Sequence, residues 1–211
     1  MKWILTCILS LLAMLASAQG KDIKATELLE EVSAKVKACK SVKVDFSYSM
    51  QNAKAKINEE KTGSLLISGD KYRMIAAGRI IFSDGKAIWT YTESSNEVQI
   101  HSTDDADDAM TPSKLLSSYN ANYKSKIIKE KGQEPNIEMI ELIPNKQKNI
   151  TKAILGVDKT KKQVKSFTLF DKNGSIYTYK IIKYQTDVPT EKSDFLFDPG
   201  KFPGVDVEDM R

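Results

Sequence analysis

Polar and apolar residues along the chain repeat with two different periods. Between residues 22 and 39, Ala25, Leu28, Leu29, Val32 and Val36 recur at spacings of three and four, which marks one face of a helix. Asp22 stands where an N-cap is needed, and Lys35, Lys37 and Lys40 gather at the far end, where cations suit the negative pole of the helix dipole. From residue 42 the period falls to two. Val42, Val44, Phe46, Tyr48 and Met50 alternate with Lys43, Asp45, Ser47, Ser49 and Gln51. Strict alternation of this length predicts a strand with one dry and one wet face.

Further strand-like runs follow at 62–68, 71–77, 79–83, 86–92 and 96–102. Turn signals part them: Ser68-Gly69-Asp70, Gly78, Ser83-Asp84-Gly85 and Ser94-Ser95-Asn96. Strands resume at 124–130, 136–143, 150–158, 163–171 and 175–184, with Asp171-Lys172-Asn173-Gly174 as a hairpin turn whose Asn and Gly accept positive φ. The alternation stops across 103–120. There Thr111-Pro112 reads as an N-cap followed by proline at the first helical position, and 113–119 as a short helix with Met110, Leu115, Leu116 and Tyr119 as its apolar residues. One antiparallel sheet of this size tends to curl. The expected fold is mainly β with a few helices: an open antiparallel β half-barrel of about 11 strands, with a helical lid over a hydrophobic cavity.

The N-terminus bears on the compartment. Lys2 precedes an apolar run from Trp3 to Leu15, and Ala16-Ser17-Ala18 forms a small-residue cleavage site. A membrane span needs about 20 apolar residues, so a cleaved signal peptide over 1–18 is favoured over an uncleaved anchor. Gln19, not Cys, follows the site, which argues against a lipid-anchored start. The expectation is one exported, soluble domain over 19–211, in the periplasm. Cys39 is then the only thiol, so no internal disulfide forms, and a small, buried side chain is the expected role. A formal net charge of +4 is too mild to suggest nucleic acid.

Catalytic material is sparse. The lone histidine, His101, falls within a strand pattern and reads as an ordinary edge or surface residue. No metalloprotease, dithiol, nucleophile-elbow, phosphate-loop or dinucleotide motif is present. Asp104, Asp105, Asp107 and Asp108 lack the Gly turn and closing Glu of a calcium loop and read as solvated. No enzyme activity, metal or cofactor is expected. What remains is apolar: Phe46, Leu65, Ile67, Tyr72, Met74, Phe82, Trp89 and Tyr91 fall on neighbouring strands. They suit either a packed core or a cavity wall, and methionine adapts to varied apolar ligands.

Several segments resemble the outer-membrane lipoprotein carrier (LolA) family. Gly63-Ser64-Leu65-Leu66-Ile67 and Lys71-Tyr72-Arg73-Met74 are similar to two of its strands. Ile81-Phe82-Ser83-Asp84-Gly85-Lys86-Ala87-Ile88-Trp89-Thr90-Tyr91 resembles its apolar run, S-D-G-K turn and W-x-Y strand. Pro112-Ser113-Lys114-Leu115-Leu116 stands where its lid begins, and Leu142-Ile143-Pro144 matches its L-x-P. The tail, Phe195-Leu196-Phe197-Asp198-Pro199 and Pro203-Gly204-Val205-Asp206-Val207, resembles its F-x-F-x-P and P-G-V-x-V ending. The resemblance implies a monomeric periplasmic carrier. It would take acylated lipoproteins from an inner-membrane lipoprotein-releasing ABC complex and pass them to an outer-membrane acceptor, protein or bilayer. The eight strand residues would line its acyl-chain cavity, and Met110, Leu115 and Leu116 its lid. The Arg-Pro turn that latches the lid in many members is Ser68-Gly69-Asp70 here, so that latch does not carry over; Arg73 and Arg79 are nearby substitutes. The same fold also suits another lipid or hydrophobic small molecule, or a cargo-free sensor or interaction module.

Overall fold

A computed structural model describes residues 22–103, 122–146 and 149–211. The expected lid residues Met110, Leu115 and Leu116 lie outside them, as does the 1–18 segment.

The helical period forms α1 (Ile23–Ala38). The Asp22 carboxylate caps it by accepting from Ala25 N at 3.2 Å, and the helix ends where Cys39 N donates to the Val36 carbonyl. Six strands follow as a meander: β1 (Val42–Asn52), β2 (Ile57–Ser68), β3 (Lys71–Ala76), β4 (Arg79–Ser83), β5 (Ala87–Thr92) and β6 (Glu97–Ser102). A second meander holds β7 (Tyr123–Ile128), β8 (Ile137–Pro144), β9 (Ile150–Asp158), β10 (Gln163–Asp171) and β11 (Ile176–Thr186). Antiparallel pairing of β1 with β11 joins the two into one open, unclosed sheet. A further strand that no alternation predicts, β12 (Asp206–Asp209), adds parallel to β6, so among the described residues the sheet has twelve strands. Its four residues are all exposed.

Turn chemistry sets the register. The β3–β4 turn places both Ala77 (φ 53°) and Gly78 (φ 74°) at positive φ, the geometry that suits a two-residue hairpin loop. It pairs Met74 with Ile81 and Arg73 with Phe82. In the Asp171–Gly174 turn, Gly174 (φ 87°) donates to the Asp171 carbonyl and Asn173 accepts from Ser175 N.

Helix α1 lies on the inner face of the sheet. Ala25, Leu28, Leu29 and Val32 pack with Tyr123, Ile140, Leu142, Ala153, Leu155, Val157 and Leu169, all buried. Each buried Leu, Ile or Val among them contributes about 1.5–3 kcal/mol. Asp22 also fastens the helix to the sheet edge, since its second carboxylate oxygen accepts from Ile127 N of β7 at 3.0 Å. The far end of the helix is tied to the β9–β10 turn by Lys35 Nζ donating to the Lys161 carbonyl at 2.6 Å and by a Lys162–Glu31 ion pair.

The C-terminal segment wraps the outer face of the first meander. Phe195 is buried, the Phe197 ring meets Phe82 edge-on at 6.2 Å, and Phe202 lies against both Phe197 (4.9 Å) and Tyr91 (4.4 Å). Arg73 pairs with Asp194 at 3.5 Å on the same side.

Candidate functional site

A second buried cluster covers the inner face of β1–β3: Val42, Val44, Phe46, Tyr48, Leu65, Ile67 and Tyr72. Between it and the helix-covered cluster lies a cavity of about 160 Å³, roofed by Val32 and Val36 of α1. Its floor draws on both meanders, from Val44, Leu65 and Met74 on one side to Leu155, Phe167 and Tyr179 on the other. Among the described residues, every lining side chain is aliphatic, aromatic or methionine, and the hydroxyls of Tyr179 and Tyr184 are the only polar side-chain groups in the wall. Its volume and lining suit a benzene-sized apolar group.

Two local features shape the hollow. Gly63 stands opposite Phe46, and a Cβ there would fall 2.6 Å from the Phe46 ring and 2.5 Å from the Ile75 carbonyl oxygen. The missing side chain leaves room for that ring to lie over Gly63 of β2 while it also lines the hollow. On β11 a bulge follows Ile181, so that Ile181 pairs with Phe46 and Tyr184 with Val44. Ile181 and Tyr184, three apart, thus both face inward, which an unbroken strand forbids.

Aromatic rings surround the cavity. Tyr179 packs against Phe46 (5.5 Å), Tyr48 (5.1 Å) and Phe167 (6.1 Å). Burial pushes the hydroxyls of Tyr72, Tyr179 and Tyr184 up to about 12. Nearby Tyr48 and Tyr177 add to the effect on Tyr179, and Cys39 to that on Tyr184. These phenols stay neutral across the physiological range. Cys39 itself is half-buried, with its thiol donating to the Lys35 carbonyl at 3.3 Å.

Of the eight residues expected to form an apolar wall, Phe46, Leu65, Ile67 and Met74 line the cavity. Tyr72 is buried in the adjoining cluster on the same face. Phe82, Trp89 and Tyr91 stand on the opposite face. Phe82 pairs with Arg73 and Trp89, and residues directly opposite in an antiparallel pair share a face. There Phe82 and Tyr91 meet the C-terminal rings. The run Ile80-Ile81-Phe82 is apolar at every position, so alternation could not say which of them points inward. Arg73 is engaged on that outer face by Asp194.

Sequence pattern alone missed the β10–β11 side of the wall, namely Val164, Phe167, Leu169, Tyr179, Ile181 and Tyr184. Tyr177, Tyr179 and Ile181 do alternate, but the bulge breaks the phase before Tyr184. His101 of β6 pairs with Ile88 of β5 and is half-buried. No three His, Cys, Asp or Glu side chains among the described residues are grouped to hold a metal ion.

This architecture, one helix laid over an open sheet with an apolar hollow between, agrees with a sequence match: the family described as outer membrane lipoprotein carrier protein LolA covers residues 37–198. The chain belongs to the LolA family. Among solved structures, the LolA fold recurs in an uncharacterized conserved protein of Thermus thermophilus, at 12% identity and a TM-score of 0.54, covering 88% of this chain and 99% of that one. A LolA superfamily protein from Nitrosomonas europaea aligns at 11% identity and a TM-score of 0.45, over 83% of this chain and 98% of that one. A putative outer membrane lipoprotein-sorting protein domain from Vibrio parahaemolyticus aligns at 13% identity and a TM-score of 0.44, over 82% and 96%. No curated protein matches in sequence. Among the described residues, no helix of this LolA-family chain is long and apolar enough to cross a membrane.

Proposed function

We propose that this chain is a periplasmic carrier that shelters the acyl chains of lipoproteins on the way from the inner to the outer membrane, binding its cargo without chemical change. The observation that carries this reading is the cavity between α1 and the seam of the two meanders, whose wall is apolar apart from two tyrosyl hydroxyls. A releasing ABC complex at the inner membrane and an acceptor at the outer membrane are the partners it implies.

Size and energy make the reading mechanical. Each buried CH₂ contributes about 0.8 kcal/mol. Three snugly held chains would exceed the roughly 18–21 kcal/mol at which non-covalent affinity saturates, and such cargo would never leave. The resting cavity, about 160 Å³, holds only a short stretch of chain. Loading must therefore enlarge it, and the packing that α1 gives up as it moves offsets the burial of the incoming cargo. The helix is suited to that exchange. Val32 and Val36 roof the cavity, while polar ties at Asp22 and at Lys35 and Lys162 hold its ends. The partial cancellation keeps release within reach of an acceptor.

The test is displacement of a fluorescent apolar probe from the purified protein by a tri-acylated lipopeptide and by the same peptide without acyl chains. The carrier reading expects displacement by the acylated form alone, and expects Val36→Trp, which fills the cavity, to abolish probe binding while the protein stays folded. Equal displacement by both peptides, or undiminished probe binding in Val36→Trp, would sink it.

A further inference from the structure

The sheet is not continuous at the cavity. Strands β10 and β11 pair from Phe170 with Ile176 as far as Ser166 with Lys180, and no further. Beyond that point β10 stays with β9 through Val164 and Gln163, while β11 stays with β1 from Ile181 to Thr186. The two strands fork, and each carries a bulge at the fork, at Lys165 on β10 and Ile182 on β11. A bulge sets two consecutive residues toward one side. Val164 and Ile181 face inward at the fork and line the apolar cavity.

Outside the fork lies a second depression of about 620 Å³. Lys165, Ser166 and Lys180 of the strands and Lys161 of the β9–β10 turn form one wall, and Ile181 belongs to both this depression and the apolar cavity. The carboxylate in the strand wall, Asp158, is already engaged: it accepts from Lys161 N (2.8 Å), Thr160 N (3.0 Å) and Asn136 Nδ2 (3.3 Å). Glu130 and Glu134 belong to the β7–β8 loop, which makes the other wall. An apolar hollow thus backs onto a lysine-bearing groove, and beyond Ser166 and Lys180 no β10–β11 pairing separates them.

We propose that the fork between β10 and β11 is a side port for an anionic amphiphile, whose acyl chain occupies the cavity and whose phosphate or carboxylate head is held outside by Lys161, Lys165 and Lys180. The port rests on the reading of the cavity as an acyl-chain site and adds a head-group preference to it. The apolar chain is drawn in by burial, and the head stays in water beside cations, so no charge is desolvated.

The experiment competes the same apolar probe with three amphiphiles of one chain length: a lysophosphatidate, a fatty acid and a neutral monoacylglycerol. Two exposed lysines, Lys161 and Lys180, and the half-buried Lys165 favour the anions by about tenfold over the neutral ligand. The double variant Lys165→Gln/Lys180→Gln is expected to remove that preference and leave the affinities for probe and monoacylglycerol unchanged. A preference for both anions assigns charge alone as the determinant, and one for lysophosphatidate only assigns phosphate. As an independent readout, a photoreactive head group should crosslink within 159–166 or 178–183, at the fork. Equal competition by all three ligands, a preference that survives the double variant, or crosslinks confined to other segments would overturn the port while leaving the cavity reading intact. Failure of the probe to bind at all would overturn the cavity reading and the port together.

Discussion

Under α1, Leu29, Ile140, Leu142 and Val157 are sealed at 0–1% exposure, whereas across the seam Val44, Phe46, Leu65 and Ile67 keep 4–8%. Both sets come from the same alternation on the same face of one sheet, Leu29 of the covering helix apart. The difference lies in what covers them. A helix with apolar residues at three- and four-residue spacing fills the grooves between β-strand side chains, as a close-packed interior demands. At the seam only the edge of that helix reaches over, through Val32 and Val36, and the glycine at 63 leaves room for the Phe46 ring above β2. Sealing supplies stability, and incomplete sealing supplies a binding site.

Raising the pH gives the largest expected change. Tyr72, Tyr179 and Tyr184 are pushed from an ordinary 10.0 to about 12. Their neutral forms are favoured by the fold, so this contribution is whole below pH 10 and is lost as pH rises through 12, on the order of a few kcal/mol once the share of the less buried Tyr184 is discounted for solvent screening. Phenolate absorbance should rise in two steps, the later one coinciding with unfolding. A single step near pH 10 in folded protein would mean that the seam is open to water.

Next in size, Leu29→Ala should cost about 3–4 kcal/mol, while Leu65→Ala, which borders existing space and is less tightly packed, should cost about 2. Urea unfolding of the two variants measures the contrast directly, and equal losses would erase the distinction between sealed and hollow regions. Gly63→Ala should cost about 1–3 kcal/mol through overpacking and also weaken probe binding, because the Phe46 ring must swing into the cavity. Weakened stability with unchanged probe affinity would show that Phe46 yields in another direction.

The smallest effect belongs to Asp22, whose carboxyl is held below the usual range chiefly by the N–H of Ile127, with Ala25 and Lys24 helping. Asp22→Ala should cost about 1 kcal/mol, as the loss of an N-cap does. In the parent protein this contribution is present above the ordinary carboxylate range and disappears as pH falls through the lowered value. The variant should therefore show a shallower acid limb in a plot of stability against pH.

Much of the fold could be read from local pattern. The helix expected at 22–39 is Ile23–Ala38, and the strand expected at 150–158 is Ile150–Asp158. These elements announce themselves because periodicity and capping are properties of neighbouring residues. The candidate site was half legible. Phe46, Leu65, Ile67 and Met74 sit on strands whose alternation is clean, whereas Phe82, Trp89 and Tyr91 follow a stretch apolar at every position. Their parity is set by the Ala77-Gly78 turn, and their partners, Phe197 and Phe202, lie far along the chain in the C-terminal tail.

The sequence by itself therefore determined the helix, eleven of the strands and their order, since those follow from spacing and turn chemistry, but neither β12 nor the facing of the β4 and β5 side chains. Only the tertiary structure decided that β1 meets β11, that the tail covers the outer face, and that a cavity opens where the strands fork. Those outcomes depend on packing between residues remote in the chain, and on a bulge that shifts every later side chain by one position.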